Sequence, residues 1–186
     1  TRTPSSAASD VYKRQRLGIL GMGRIGQKIG KVAKSLGMVI HYHNRSKLDS
    51  GKENGAIYHK TLESLMSVSD VLSVCCPASK ETINLINKKT ISLLPNGAIV
   101  TNVARGDIVD DDALIEALDS KKVSAVGLDV YKNEPKLNPG YLKHSRAFVL
   151  PHLGSATFET RTAMANLAID NISEFFETGS CKNKVN

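Results

Sequence analysis

The chain is poor in cysteine, and the three residues it has cannot build a scaffold. Among 186 residues only Cys75, Cys76 and Cys181 carry thiols. An odd number with two of them adjacent gives neither a disulfide framework nor a zinc-ligand spacing, so reduced thiols in a cytoplasmic protein are expected. No apolar run reaches membrane-spanning length and no segment reads as a signal peptide, which argues against a membrane partner. Aromatic residues make up only 5% of the chain, and they do not interleave with a basic stripe. The net charge of +7 therefore points to an anionic small ligand and away from nucleic acid. No internal repeat or low-complexity stretch is present. A hydrophobic content of 41% suffices for a globular core, and the length suits one domain or one domain with a piece of another.

The first fifteen residues, TRTPSSAASDVYKRQ, lack apolar periodicity. Residues 10–15 look like the translation of a transposon-end sequencing adapter, so this segment is expected to be foreign and disordered, with the protein proper starting near Arg16.

The informative stretch is LGILGMGRIGQKIGKVAKSLGMVIHYHNRS, Leu17 to Ser46. A short apolar run meets Gly21, Gly23 and Gly26, an amphipathic segment follows, and a second β-rich run begins at Met38. This is strand, glycine turn, helix, strand. Gly21 suits a tight turn, Gly23 lets backbone approach a pyrophosphate, and Gly26 lets helix and strand pack closely. The helix N-terminus then offers free N–H groups and positive partial charge to phosphate. At the end of the second strand an NAD site favours an acid. Here Asn44, Arg45 and Ser46 stand instead, and no acid occurs before Asp49. A 2′-phosphate suits that loop, so NADP is expected over NAD, with NAD remaining possible.

Further along, Thr61 reads as the cap of a helix over Leu62 to Ser67, and 71–75 as a buried strand stopped by Pro77. Residues 82–94 carry six apolar side chains broken near Asn87. Strands are expected at 98–102, 124–130 and 147–150, with a helix started by Asp110 to Asp112. Strands alternating with helices imply an α/β fold, a doubly wound parallel sheet of Rossmann type with ligands beyond the strand C-termini. A final amphipathic helix over 156–178 ends at Gly179 and needs an apolar partner.

Three strand ends carry chemistry: Asn102-Val103-Ala104-Arg105-Gly106, the loop from Asp129 to Pro135, and Pro151-His152-Leu153-Gly154. Reduction of a 2-oxo acid needs such groups beside a hydride donor. Arg105 can hold a carboxylate in its fork, His152 can give a proton to the developing alkoxide, and Glu134 can orient the imidazole. Asp129 can accept a hydrogen bond from a nicotinamide carboxamide. His41 and His43 share one side of their strand with no third ligand, so they read as packing or solvent residues. His59 and His144 lie outside any motif and are expected on the surface. No metal site is expected.

With these motifs the chain resembles the D-isomer-specific 2-hydroxyacid dehydrogenases. The resemblance rests on LGILGMGRIGQKI, NVARGDIVDDDALIEAL, GLDVYKNEP and LPHLGSAT. HNRS together with PHLGSATFETR is most similar to the NADPH-dependent glyoxylate and hydroxypyruvate reductases. It implies Arg105, Glu134 and His152 as the catalytic set. It also implies cofactor contacts at Gly21, Gly23, Arg24, Ile25, Gly26, Asn44, Arg45, Ser46, Cys76, Pro77, Thr82, Val103, Ala104, Arg105, Asp129, His152 and Gly154. The implied division is a dinucleotide-binding domain over 16–154 and a segment over 155–186 that returns to a flavodoxin-like catalytic domain mostly missing from this sequence. A homodimer acting on a small 2-oxo or 2-hydroxy acid is implied, with the given piece inactive alone. The alternatives are an NAD-dependent dehydrogenase of lactate, glycerate or phosphoglycerate, and a non-catalytic, dinucleotide-sensing module akin to corepressors of this family.

Overall fold

Residues 15–184 are described in a computed structural model, and they form two compact units that meet in sequence at Pro151 and His152. The suspected adapter segment lies, but for its last residue, outside the described residues.

In the first unit, short apolar runs produce seven parallel strands. They are β1 (Arg16–Leu20), β2 (Val39–His43), β3 (Ile57–His59), β4 (Val71–Val74), β5 (Ala98–Asn102), β6 (Val123–Leu128) and β7 (Ala147–Val149). Their order across the sheet is β3-β2-β1-β4-β5-β6-β7, the doubly wound arrangement expected of a Rossmann-type fold. The order reverses between β1 and β4, and because every pairing is parallel the strand C-termini share one edge.

β1 serves both faces of this sheet. Leu17 and Ile19 are buried with Ile40, Tyr42 and Ala33 on one side, whereas Leu20 joins Leu72, Val74, Val100 and Leu128 on the other. Helix α1 (Arg24–Ser35) packs through the small residues Gly26, Gly30 and Ala33, which bring its axis close to Ile19 and Ile40. The short helix α2 (Ser50–Glu53) is tied down where the Tyr42 hydroxyl donates to Glu53 Oε1 at 2.5 Å. Helix α3 (Leu62–Met66) buries Leu62, Leu65 and Met66, and the Thr61 hydroxyl accepts from Ser64 N as its sequence suggested.

The stretch 82–94 is less helical than its apolar content suggests. Only α4 (Lys88–Ser92) forms, because Asn87 builds a capping box: its side chain accepts from Lys89 N and Thr90 N while its own N–H donates to Thr90 Oγ1. The preceding residues 80–84 form a turn, and Ile86 bridges in parallel to Val109. Helix α5 (Asp111–Asp119) starts at Asp110, whose carboxylate accepts from Ala113 N.

The second unit holds one long helix, α6 (Phe158–Thr178). Thr157 caps its start and Gly179 ends it at φ +75°, donating to Phe175 O. Its apolar stripe includes Met164, Leu167, Ile172 and Phe175, each more than half exposed. Among the described residues no helix is long and apolar enough to cross a membrane.

Candidate functional site

At the point where strand order reverses, the chain leaves β1 through Gly21, whose φ of +97° is costly for any other residue. Space forbids a side chain there as well, since a Cβ would lie 2.4 Å from Cys76 N. The turn is lashed to the end of β2 by two hydrogen bonds: Gly21 N donates to His43 O at 3.0 Å, and Met22 N donates to Asn44 Oδ1 at 2.7 Å. Gly23 differs, because a Cβ on it would meet nothing within 4 Å. Its exposed backbone opens α1, which has no acid in its first turn to compete for an anion. The residues present thus fit a dinucleotide pyrophosphate: a braced turn, a bare backbone and unshared helix N–H groups. Arg24 and Ile25 flank the opening, both exposed.

At the end of β2, Arg45 and Ser46 are exposed beside half-buried Asn44. The nearest acid onward, Asp49, is engaged by Lys52 at 3.3 Å. Asn44 therefore has a structural task that the sequence did not disclose, since its amide oxygen is spent on the glycine turn. Across the reversal, Cys76 is buried and burial pushes its thiol up to about 11, while Cys75 is shifted upward by the same cause. Neither is poised as a nucleophile. Thr82 shapes the turn beyond exposed Pro77, accepting from Ser79 N at 2.7 Å and donating to Pro77 O at 3.0 Å.

Farther along the edge, buried Asn102 organises the next turn. Its Nδ2 donates to Arg105 O at 2.9 Å, its Oδ1 accepts from Ala104 N at 3.0 Å, and its carbonyl accepts from Asp129 N at 3.0 Å. Val103 and Arg105 are exposed and Ala104 is buried, so the guanidinium points outward with one Nη1–H donated to Ala104 O at 2.6 Å. Gly106 seats this turn against the loop after β6, for a Cβ there would lie 2.0 Å from the carbonyl carbon of Tyr131. That loop folds back on itself, Glu134 Oε1 accepting from Tyr131 N at 3.1 Å. Arg105, Asp129 and Glu134 are thereby gathered on one rim of the first unit. His152 and Gly154 begin the second unit, with His152 at φ +57°.

Asn102 was legible only as a rim residue; its position as the last residue of a strand is the one signal that hinted at a brace. Two histidine expectations need correction. His59 is half-buried, its Nε2 2.8 Å from His41 Nδ1 and its Nδ1 2.7 Å from Ser64 Oγ. Both rings are pushed below the ordinary value, mainly by burial. His144 is also largely covered, its Nε2 3.3 Å from Asp119 Oδ1. Parallel pairing of β2 with β3 sets His41 beside Ile57 and His43 beside His59, a register that periodicity within one strand does not reveal. Among the described residues no group of three or more His, Cys, Asp or Glu side chains is placed to hold a metal.

The family model described as "D-isomer specific 2-hydroxyacid dehydrogenase, NAD binding domain" matches residues 2–154. The 4-methyl-2-oxopentanoate reductase A of Aspergillus oryzae is 41% identical over 163 residues, covering 88% of this chain and 49% of that protein. The glycerate dehydrogenase of Hyphomicrobium methylovorum is 39% identical over 175 residues, covering 93% and 54%. Among solved structures, the NADPH-dependent glyoxylate/hydroxypyruvate reductase of Sinorhizobium meliloti in complex with NADP and malonate superposes with a TM-score of 0.85 at 34% identity, covering 90% of this chain and 52% of that one. The chain spans about half the length of the curated relatives it matches.

Proposed function

Since the chain belongs to the D-isomer-specific 2-hydroxyacid dehydrogenases, whose NAD-binding domain it carries, we propose that its whole protein reduces glyoxylate or hydroxypyruvate to the D-2-hydroxy acid with NADPH. The observation that carries the reading is the open backbone of Gly23 between a braced turn and a β2 end offering Arg45 and Ser46 without a free acid. The bound dinucleotide supplies the hydride. Gly23, Arg24 and Ile25, opening α1, would hold the pyrophosphate through backbone N–H groups. Asn44, Arg45 and Ser46 take the adenosine ribose and its 2′-phosphate, the guanidinium giving charge-assisted bonds to an acceptor-only group. Asp129 receives the carboxamide, and Cys76, Pro77, Thr82, Val103 and Ala104 border the rest.

For the reaction, Arg105 clamps the substrate carboxylate and polarises the carbonyl, and its exposed guanidinium on a turn fixed by Asn102 suits that task. His152 delivers the proton to the oxygen as the carbon is reduced, and Glu134 keeps the imidazole oriented and favours its charged form. These roles rest on the motif resemblance, as does the assignment of the 155–186 segment to a second, catalytic domain. The same reading makes the whole protein a cytoplasmic homodimer.

Titration of the chain with NADPH and NADH, followed by nicotinamide fluorescence, tests the cofactor. One charge-assisted bond to the 2′-phosphate predicts NADPH binding about tenfold tighter, and equal or tighter NADH binding overturns that assignment. Turnover of glyoxylate or hydroxypyruvate by the whole protein, abolished by His152→Ala, tests the reaction. Activity unchanged in that variant removes His152 from the mechanism.

A further inference from the structure

The basic residues of α1 look scattered in sequence, yet the helix collects them. Arg24, Lys28, Lys31 and Lys34 follow at intervals of four, three and three, and all four line one groove of about 960 Å³ that runs from the glycine turn along α1 to α2. Between Arg24 and Lys34 the helix rises about 15 Å. None of these cations has an acidic partner in the described residues. The acids nearby are already engaged: Asp49 by Lys52, and Glu53 by the Tyr42 hydroxyl and by Lys47 at 3.7 Å. Lys34 donates one N–H to Asn54 O at 2.6 Å and keeps its charge unopposed. Lys52 and Glu53 line the groove as well, so its five cations and one carboxylate leave it strongly positive. A low-dielectric floor of Gly30, Ile40 and Ala56 strengthens their field.

We propose that this groove docks the phosphate backbone of single-stranded nucleic acid. A compact anion neutralises one or two neighbouring lysines, whereas a strand carrying a charge at every nucleotide meets all four along the helix. The cations line one groove along α1, which favours a flexible strand that can follow it over a lipid surface. No aromatic side chain lines the groove, so recognition is electrostatic and indifferent to base sequence. This inference goes beyond the reductase reading and departs from the compositional expectation of no nucleic-acid partner; the groove shares Gly23, Arg24 and Ile25 with the turn assigned to the dinucleotide, so NADPH should compete for that end.

Fluorescence anisotropy with a labelled oligothymidylate tests it. Four phosphate contacts to a single strand predict a log–log salt slope near about −3, a roughly fifty-fold loss of affinity between about 50 and 200 mM salt. The double variant Lys28→Glu/Lys31→Glu should weaken binding at least about tenfold and halve the slope. A charge-matched control, Lys89→Glu/Lys143→Glu, should leave both unchanged, and circular dichroism confirms that each variant is folded. Absence of binding at low salt overturns the proposal. So does an equal loss in the control, which would mean net charge alone, or tighter and equally variant-sensitive binding to phosphatidylserine vesicles, which would mean a lipid surface.

Discussion

Two glycines two residues apart should fail in opposite ways when given a methyl group. At Gly21 the added Cβ lies 2.4 Å from Cys76 N, 2.5 Å from Cys76 Cα and 2.8 Å from Cys75 C, all backbone atoms of the adjacent strand end, and the residue holds φ +97°. The dihedral costs about 1–2 kcal/mol, and forcing backbone apart adds about 1–3 kcal/mol. Gly21→Ala should therefore lose about 2–5 kcal/mol, which for a chain of this size lowers the melting midpoint by roughly 5–15 °C. At Gly23, φ is −80° and nothing stands within 4 Å. There Ala costs only a few tenths of a kcal/mol as an N-cap residue, about 1 kcal/mol at most. The methyl group instead fills the space a pyrophosphate must approach, so NADPH affinity should fall at least about tenfold. Thermal unfolding by circular dichroism and nucleotide titration, run on both variants, separate the two effects. A Gly23→Ala protein that melts early, or that binds NADPH as the parent does, would refute the assignment of that open backbone to phosphate.

The histidine pair makes stability depend on pH. His41 and His59 both titrate below the ordinary value of 6.5 in the fold, so protonation favours the unfolded chain, and their contribution, present above about pH 6.5, should be lost as pH falls through the depressed values. Urea midpoints across that window should fall in the parent and much less in His41→Asn; equal slopes would reject the pair as the cause. Arg16 and Asp70 form a fork of 2.8 and 2.9 Å that holds the Asp70 carboxyl below the usual range. Partial exposure limits its worth to about 1 kcal/mol, present above about pH 4 and lost as pH falls through the depressed value. Asp70→Asn should remove that amount in urea titration. Tyr141→Phe deprives buried Asp111 of a hydroxyl at 2.9 Å and should cost about 1.5–3 kcal/mol in the same assay. Cys76, with its thiol pushed up to about 11, should resist iodoacetamide near neutral pH until the protein is denatured; rapid labelling of the native chain would contradict its burial.

Much of the sheet was legible because a strand buried on both faces needs a mostly apolar run, as at 17–20, 71–74 and 98–100, and such runs are local. The cap at Thr61 and the glycine turn were equally local. What could not be read depended on neighbours far along the chain. The Asn44 amide is committed by a backbone N–H twenty-two residues earlier, and Asn102 by a turn three residues on and a strand end beyond it. The break near Asn87 within 82–94 is a capping box, in which Asn87 and Thr90 satisfy each other's polar groups, and residues before it bond to 107–110, which the local sequence does not show. The triad of Arg105, Glu134 and His152 was proposed from residue chemistry at strand ends. For Arg105 and Glu134 the fold supplies a shared rim in the first unit.

The double duty of β1 has a mechanical outcome. Five residues long, it sets Leu17 and Ile19 into one hydrophobic cluster and Leu20 into the other, and its last carbonyl runs straight into Gly21. It works as a keel: a ligand seated at its tip braces the joint between the two clusters. Amide protons of β1 and β4 should then become the most slowly exchanging in the chain once nucleotide is bound.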